Sequence, residues 1–425
     1  MMRFIGLPQS KFQRDVWWNV LTFGAMGASG IALNLLIVGF YGTEILGVFN
    51  QVYAIYIFFS QLAVFGLYAS VLRYVSEHAE NRDRCNKILT SALLLCLGIG
   101  SLVTLIYFVL SPFLGKLLDS PFVAKGLVFS LLGLWCFSLN KILLAFLNGL
   151  RQMKAFALFT AFRYLMLPVS LAVLVIFRLP GYFSPLVFSV TEFLLLIFLL
   201  VFSLRFFSVV SIKRCGEWFK VHLLFGRKSL VGGAVTEMNS RIDVFMLGVF
   251  FSDRIVGIYS LAAIFAEGFA QIPIIFRVNF NPLLTKFVVE NRLGELREAI
   301  KVFLKKWTKP LLGIGFLAVL VFPFLARIVS NDPEVYKSWI VFIILVLGIL
   351  AWSRYAVFWE LPVQAGFPGH QTILIVAVAL SNVLLNFLLI PIWSIYGAAV
   401  ATAASFILGI FYLKYIVKKI LGAVI

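Results

Sequence analysis

The chain is cut into twelve apolar stretches of membrane-crossing length, and that pattern constrains its fold more than any motif. The stretches run at about 16–40, 46–72, 88–110, 122–148, 155–177, 184–204, 229–250, 255–283, 310–328, 337–361, 371–391 and 396–413. A bilayer span needs roughly 20 mostly apolar residues, because the hydrocarbon layer is about 30 Å thick and a helix rises about 1.5 Å per residue. Only helices or closed barrels satisfy their backbone in lipid, and segments this long are helices. Composition agrees: 62% of the 425 residues are hydrophobic and 13% charged, whereas soluble domains sit nearer half and a quarter. The sequence therefore predicts an all-α integral membrane protein with twelve transmembrane helices.

The net charge of +18 is distributed in a way that excludes nucleic acid as the partner. With the N-terminus placed in the cytoplasm, twenty-six Lys and Arg fall on inner segments and six on outer loops. That asymmetry orients both termini inward and sets the charge along the anionic lipids of the cytoplasmic leaflet. The N-terminus shows no small-residue cleavage site, so no removable signal peptide is expected. The segment 284–309 has amphipathic spacing and is expected to lie on the membrane surface. Cys85, Cys96, Cys136 and Cys215 have no paired spacing, which argues against disulfides and zinc. His78, His222 and His370 read as loop polarity. No phosphate-cradling loop or catalytic constellation appears, so an enzyme is not expected.

A shift of 210 residues lays Gly47-Val48-Phe49 on Gly257-Ile258-Tyr259, each following a short outer turn and opening a long span. Six spans per half is an even number, so the halves share one orientation. The expected architecture is two six-helix lobes, residues 1–212 and 213–425, related by a pseudo-two-fold axis along the membrane normal.

Four basic residues remain, Lys141, Arg241, Arg277 and Arg354, all inside spans. A charge at the bilayer centre costs at least about 2.5 kcal/mol, so such groups belong in an interior or a water-filled cavity. On the stretch TEMNSRIDVFMLGVF at 236–250, an unbroken helix at 100° per residue gathers Thr236, Glu237, Asn239, Ser240, Arg241 and Asp243 into one arc of about 200°. Glu237 and Arg241 stand i,i+4, the order suited to a helical ion pair, while Asp243 needs a partner from another helix or from water. Glu267 with Gln271, and Arg277 with Asn281, repeat the theme on the eighth span. Arg277 and Arg354, with no acid one turn away, are expected to face a cavity of net cationic character. Lys141 and Glu192 snorkel, pair between helices or serve the cavity, where Lys141 and Arg241 join Arg277 and Arg354 as candidate substrate-binding cations; Arg163 lies near enough to the interface to snorkel.

Four segments resemble the polysaccharide (O-antigen type) flippases of the multidrug/oligosaccharidyl-lipid/polysaccharide exporter superfamily. They are VFGLYASVLRYVSEHAENRD at 64–83, LNGLRQMKAF at 147–156, RIDVFMLGVFFSDRIVGIY at 241–259 and LSNVLLNFLLIPIWSIYGAAVATAAS at 380–405. The resemblance implies alternating access and a polyprenyl-diphosphate-linked oligosaccharide as cargo, moved from the cytoplasmic to the external leaflet. Arginines would hold the diphosphate bidentately, and Asn239, Gln271 and Asn281 would line the path of the sugars. Asp243, with Glu237 and Glu267, is assigned to ion coupling or to a gate, with protons and sodium both left open. No other cofactor is implied. A monomer is expected, working beside a polysaccharide polymerase or glycosyltransferases. The competing readings are a cation-coupled multidrug antiporter of the same superfamily, which calls for a more acidic cavity, and a membrane-embedded polymerase, which calls for longer outer loops.

Overall fold

The computed structural model describes residues 9–290, 292–330 and 332–422, with side chains from Gly24 onward except at 231, 279, 282, 283, 289, 293, 296, 297, 299, 300, 303 and 304. The N-terminal residues 1–8, on which the signal-peptide expectation partly rests, lie outside the described residues. The order of elements is α1 (Gln9–Val64), α2 (Leu67–Glu77), α3 (Arg82–Leu117), α4 (Pro121–Phe129), α5 (Leu131–Gly149), α6 (Met153–Ile176), α7 (Leu186–Ser203), α8 (Gly216–Asn239), α9 (Ile242–Phe250), α10 (Asp253–Val289), α11 (Leu293–Val329), α12 (Lys337–Ala356), α13 (Leu361–Gln364) and α14 (Pro368–Leu421).

Nine segments among the described residues are long and apolar enough to cross a bilayer. Two of them cross twice. Gly24–Val64 has 41 residues, about 62 Å of helix against a 30 Å hydrocarbon layer, and it breaks at Gly42, whose φ of 86° is open to glycine. Pro368–Leu421 has 54 residues and breaks at Ser394, φ 50°, just after Pro391 removes a helix donor. These account for eleven passes. The twelfth is the pair α8–α9, which falls short as a single helix because it is interrupted at Ser240–Arg241.

Local chemistry sets the remaining boundaries. Asn81 caps α3 by accepting from the Arg84 amide at 3.0 Å, and Ser120 caps α4 ahead of Pro121. The stretch LNGLRQMK forms the tight turn expected of it, with Arg151 at φ 56° and the Gln152 amide returning to the Leu147 carbonyl. The segment 284–309 does not form a separate surface helix. Its residues extend α10 to Val289 and open α11 at Leu293.

The chain divides into two compact units, Met1–Phe40 with Gln51–Glu237, and Tyr41–Asn50 with Met238–Ile425. Division by packing thus falls at 237/238, whereas counting spans puts it at 212/213. The first unit is built on a dry core of α2, α3, α5 and α7 side chains, among them Leu67, Ile88, Leu143, Phe146 and Leu195. His222 belongs to this core rather than to loop polarity. Its ring is fully buried, with Nδ1 2.8 Å from Ser70 Oγ and Nε2 3.0 Å from the Ile88 carbonyl. The four cysteines are buried and free.

In the second unit the repeat becomes visible as a contact. A Cβ added to Gly47 would lie 1.8 Å from the Asp253 carbonyl oxygen, and one added to Gly257 would lie 1.8 Å from the Thr43 carbonyl oxygen. Thr43 and Gly47 are the residues that a 210-residue shift lays on Asp253 and Gly257. The two openings of the repeat therefore cross each other symmetrically, backbone on backbone. Beside this crossing Arg254 holds Asp332 through Nε and Nη2 at 2.9 and 2.7 Å, and Thr43 donates to the same carboxylate at 3.3 Å. The Arg254 guanidinium keeps the Asp332 carboxyl below the usual carboxylate range.

Candidate functional site

The expected single polar arc on the seventh span is replaced by two separate environments. The backbone at Arg241 leaves helical geometry, with φ −132° and ψ 0°, so i,i+4 arithmetic does not carry across Ser240. Asn and Ser favour local side-chain bonds over helix continuation, which suits an interruption at this point. Arg241 then reaches α10 and grips Glu267 with two parallel hydrogen bonds, Nη1 to Oε1 at 2.7 Å and Nη2 to Oε2 at 2.8 Å. Arg241 thus has a fork-to-fork partner on another helix, in addition to anything its own helix supplies.

Asp243, one residue into α9, is buried. It accepts from the Tyr259 hydroxyl on α10, from Thr402 Oγ1 on α14 at 3.5 Å and from the Val244 amide at 2.8 Å. Next to it Asn382 donates to Asn239 Oδ1 at 3.3 Å, and Asn386 donates to Asn382 Oδ1 at 3.0 Å. The second unit thus carries one continuous set of charged and amide groups from α8–α9 to α10 and α14.

Farther along α10, Arg277 Nε lies 3.5 Å from Glu360 Oε1. Asn281 donates to the other oxygen of Glu360, and Thr285 donates to Gln364. Arg277, with no acid one turn away on its own helix, meets one from the end of the tenth span. Gln271 is partly exposed and makes no hydrogen bond among the described residues. Arg354 is exposed in the last turn of α12, with no ion pair among the described residues.

The first unit holds the other cluster. Arg163 does not snorkel: its side chain is 11% exposed and lies against Glu192, itself 5% exposed, with Nε 2.7 Å from Oε1 and Nη2 3.0 Å from Oε2. Asn140 donates to Glu192 Oε2 at 2.8 Å, and the guanidinium also rests over the Phe137 ring at 4.7 Å. Lys141 donates to Gln61 Oε1 at 2.9 Å and sits over the Tyr68 ring at 4.6 Å. Charge from Glu237 reaches Lys141, Tyr68 and Tyr164 in this same unit. Three arginines, Arg163, Arg241 and Arg277, each meet a carboxylate from another helix.

Sequence comparison decides the family. The profile described as polysaccharide biosynthesis protein matches residues 18–267, more than half of the chain. The chain belongs to the polysaccharide biosynthesis protein family. Among curated protein sequences, none matches. Solved structures of this fold include the lipid II flippase MurJ in an inward closed conformation, with a TM-score of 0.75 and 18% identity over 95% of this chain and 87% of that one. An inward-facing multidrug resistance MATE transporter of the MOP superfamily gives a TM-score of 0.74 and 14% identity over 92% and 95%. A MOP superfamily transporter from Pyrococcus furiosus, described as having a binding pocket of reversed polarity, gives 0.57 and 12% over 93% and 96%. The polysaccharide biosynthesis protein described here thus has the fold of the MOP superfamily transporters, in line with the resemblance read from its sequence.

Tyr259, Thr402, Gln61 and Tyr68 join these candidate clusters, and polarity alone did not nominate them. Tyr259 stood in the Gly-x-Tyr segment at 257–259, and Thr402 in the Ala-Thr element near 400. Both sit among apolar neighbours, where one hydroxyl leaves little mark on a hydropathy pattern.

Proposed function

We propose that the protein is a flippase that moves a polyprenyl-diphosphate-linked oligosaccharide from the cytoplasmic to the external leaflet by alternating access, with both termini in the cytoplasm. The observation that carries this reading is membership of the polysaccharide biosynthesis family. It is supported by cations left available for an anion: exposed Arg354 and loosely paired Arg277. A guanidinium recognises a phosphate through parallel hydrogen bonds and is always charged. Lys141, over its aromatic rings, adds a compact positive charge in the first unit. Asp243 and Glu267, the acids on the broken seventh span and on α10, are assigned the coupling or gating step. The lipid tail stays in the bilayer throughout.

The test is translocation of a lipid-linked oligosaccharide in proteoliposomes, with Arg277→Ala and Arg354→Ala beside the parent. Transport that depends on both arginines is the expected result. Undiminished transport by well-folded variants would sink the cationic role, and export of cationic drugs without any flipping would favour the antiporter.

A further inference from the structure

We infer that Glu360 is an internal competitor for the cargo's diphosphate, occupying Arg277 while the site is empty and yielding it when the head group arrives. The inference rests on the flippase reading and names one determinant of its head-group recognition.

Among the described residues, the three ion pairs that join helices inside the spans are not alike. Arg163–Glu192 and Arg241–Glu267 are short, two-point contacts. Arg277–Glu360 closes only to 3.5 Å, at a single point. Glu360 commits its better contact to Asn281, through Oε2. Its Oε1 supplies charge to Arg277 without the geometry of a guanidinium–carboxylate fork. Both side chains also keep some access, 20% and 33% exposed, so an incoming anion can reach them.

Position fits the chemistry. Arg277 is twenty-four residues from the start of α10 at Asp253, about 36 Å along the helix. With the hydrocarbon layer about 30 Å thick and α10 entering from the outer side, Arg277 lies at the level of the inner head groups. A prenyl diphosphate in the cytoplasmic leaflet presents its phosphates at that level. Arg277, Asn281 and Thr285 are spaced i, i+4, i+8 along one face of α10, and they meet Glu360 and Gln364, i and i+4, at α13. α13 is a single turn carrying Pro362 and followed by Gly366 at φ 85°. A diphosphate carries more charge than a carboxylate and offers paired oxygens to the guanidinium. It can therefore take Arg277 from a carboxylate that holds it at one point, while Asn281 continues to hold Glu360.

Farnesyl diphosphate binding to the full chain in detergent, followed by titration calorimetry, tests this without any transport step. Glu360→Gln keeps the shape and the Asn281 contact but removes the competing charge, and should tighten binding roughly three- to tenfold. A merely structural glutamate would give the opposite sign. Arg277→Ala should weaken binding, and the double variant should match Arg277→Ala, with no gain from Glu360→Gln. Should Glu360→Gln fold poorly, Glu360→Ala must show the same gain. Unchanged or weaker binding by a folded Glu360 variant would overturn the inference. So would equal displacement of the probe by phosphatidylglycerol at the same concentration, which would mark a general anionic-lipid site. The two readings fail separately. A gain in binding with no flipping in vesicles removes the transport reading alone. Flipping with no effect of Glu360 on binding removes this one alone.

Discussion

Replacing Gly257 with alanine tests the symmetric crossing at the heart of the second unit. The new Cβ would lie 1.8 Å from the Thr43 carbonyl oxygen and 3.1 Å from the Gly47 amide nitrogen. Ordinary contact needs about 3.4 Å or more, so the two segments must separate by about 1.5 Å. Such forced separation typically costs about 1–3 kcal/mol, and the neighbouring Thr43–Asp332 hydrogen bond, already 3.3 Å long, would be drawn apart with it. Gly47→Ala meets the Asp253 carbonyl in the mirror-image clash and should cost a similar amount. The decisive measurement is the pair of substitutions together. One separation accommodates both methyl groups, so the double variant should be destabilised by clearly less than the sum of the singles. Thermal unfolding of the detergent-purified chain, read by intrinsic fluorescence at matched protein concentration, measures all three. Additive losses, or a neutral Gly257→Ala, would refute the backbone-on-backbone contact.

Glu192→Ala leaves Arg163 as a nearly dry, uncompensated cation and should cost about 3–5 kcal/mol; Glu267→Ala, in a wetter site, should cost less, and the order of the two melting temperatures checks it. Tyr259→Phe removes the hydroxyl that Asp243 accepts from and should destabilise by about 1–3 kcal/mol; in Asp243→Asn the same tyrosine change should matter less, which a double-mutant cycle reads directly. Asp332 has a depressed folded-state pKa, so its contribution is present above the unfolded carboxylate value near pH 4 and is lost as pH falls through the lower folded value. The melting-temperature gap between the parent and Asp332→Asn should therefore be constant from pH 8 to about 5 and shrink below about 4; a gap that widens on acidification would contradict the ion pair.

The membrane passes were legible in the sequence because bilayer thickness fixes how many apolar residues a pass needs, and few other solvents impose so rigid a ruler. The polar residues inside spans were legible for the same reason. Their partners were not. Gathering residues 236–243 on one arc assumed an unbroken helix, and the helix is interrupted at Ser240–Arg241. Arg277 and Glu360 are eighty-three positions apart, and no local spacing announces that they meet. Arg163 looked close to water because its distance along the helix was judged from the loop; the packing of α6 on α7 buries it against Glu192 instead.

The repeat explains why scaffold and chemistry were unequally readable. Under the 210-residue shift, Gly47 meets Gly257, and the crossing they form needs that identity of backbone. The charged positions inside the spans that form the candidate clusters have no such correspondence. Arg241, Asp243, Glu267 and Arg277 fall on Ile31, Leu33, Ile57 and Leu67, while Lys141, Arg163 and Glu192 fall on Ala351, Ile373 and Thr402. The break at Ser240–Arg241 likewise has its counterpart at Gly30–Ile31, inside α1, whose interior departs from helical geometry only at Gly42. A duplicated scaffold therefore carries two different sets of ionisable groups. The second unit sets Arg241 and Asp243 at the break between α8 and α9 and Glu267 and Arg277 on α10, and the first keeps a buried pair on α6 and α7. Equivalent packing with unlike charge means that a shared perturbation, such as separating the glycine pair, acts on geometry common to both repeats. A charge change in one unit has no counterpart in the other. That difference lets substitution at Arg277 or Asp243 be read as chemistry rather than as damage to the scaffold.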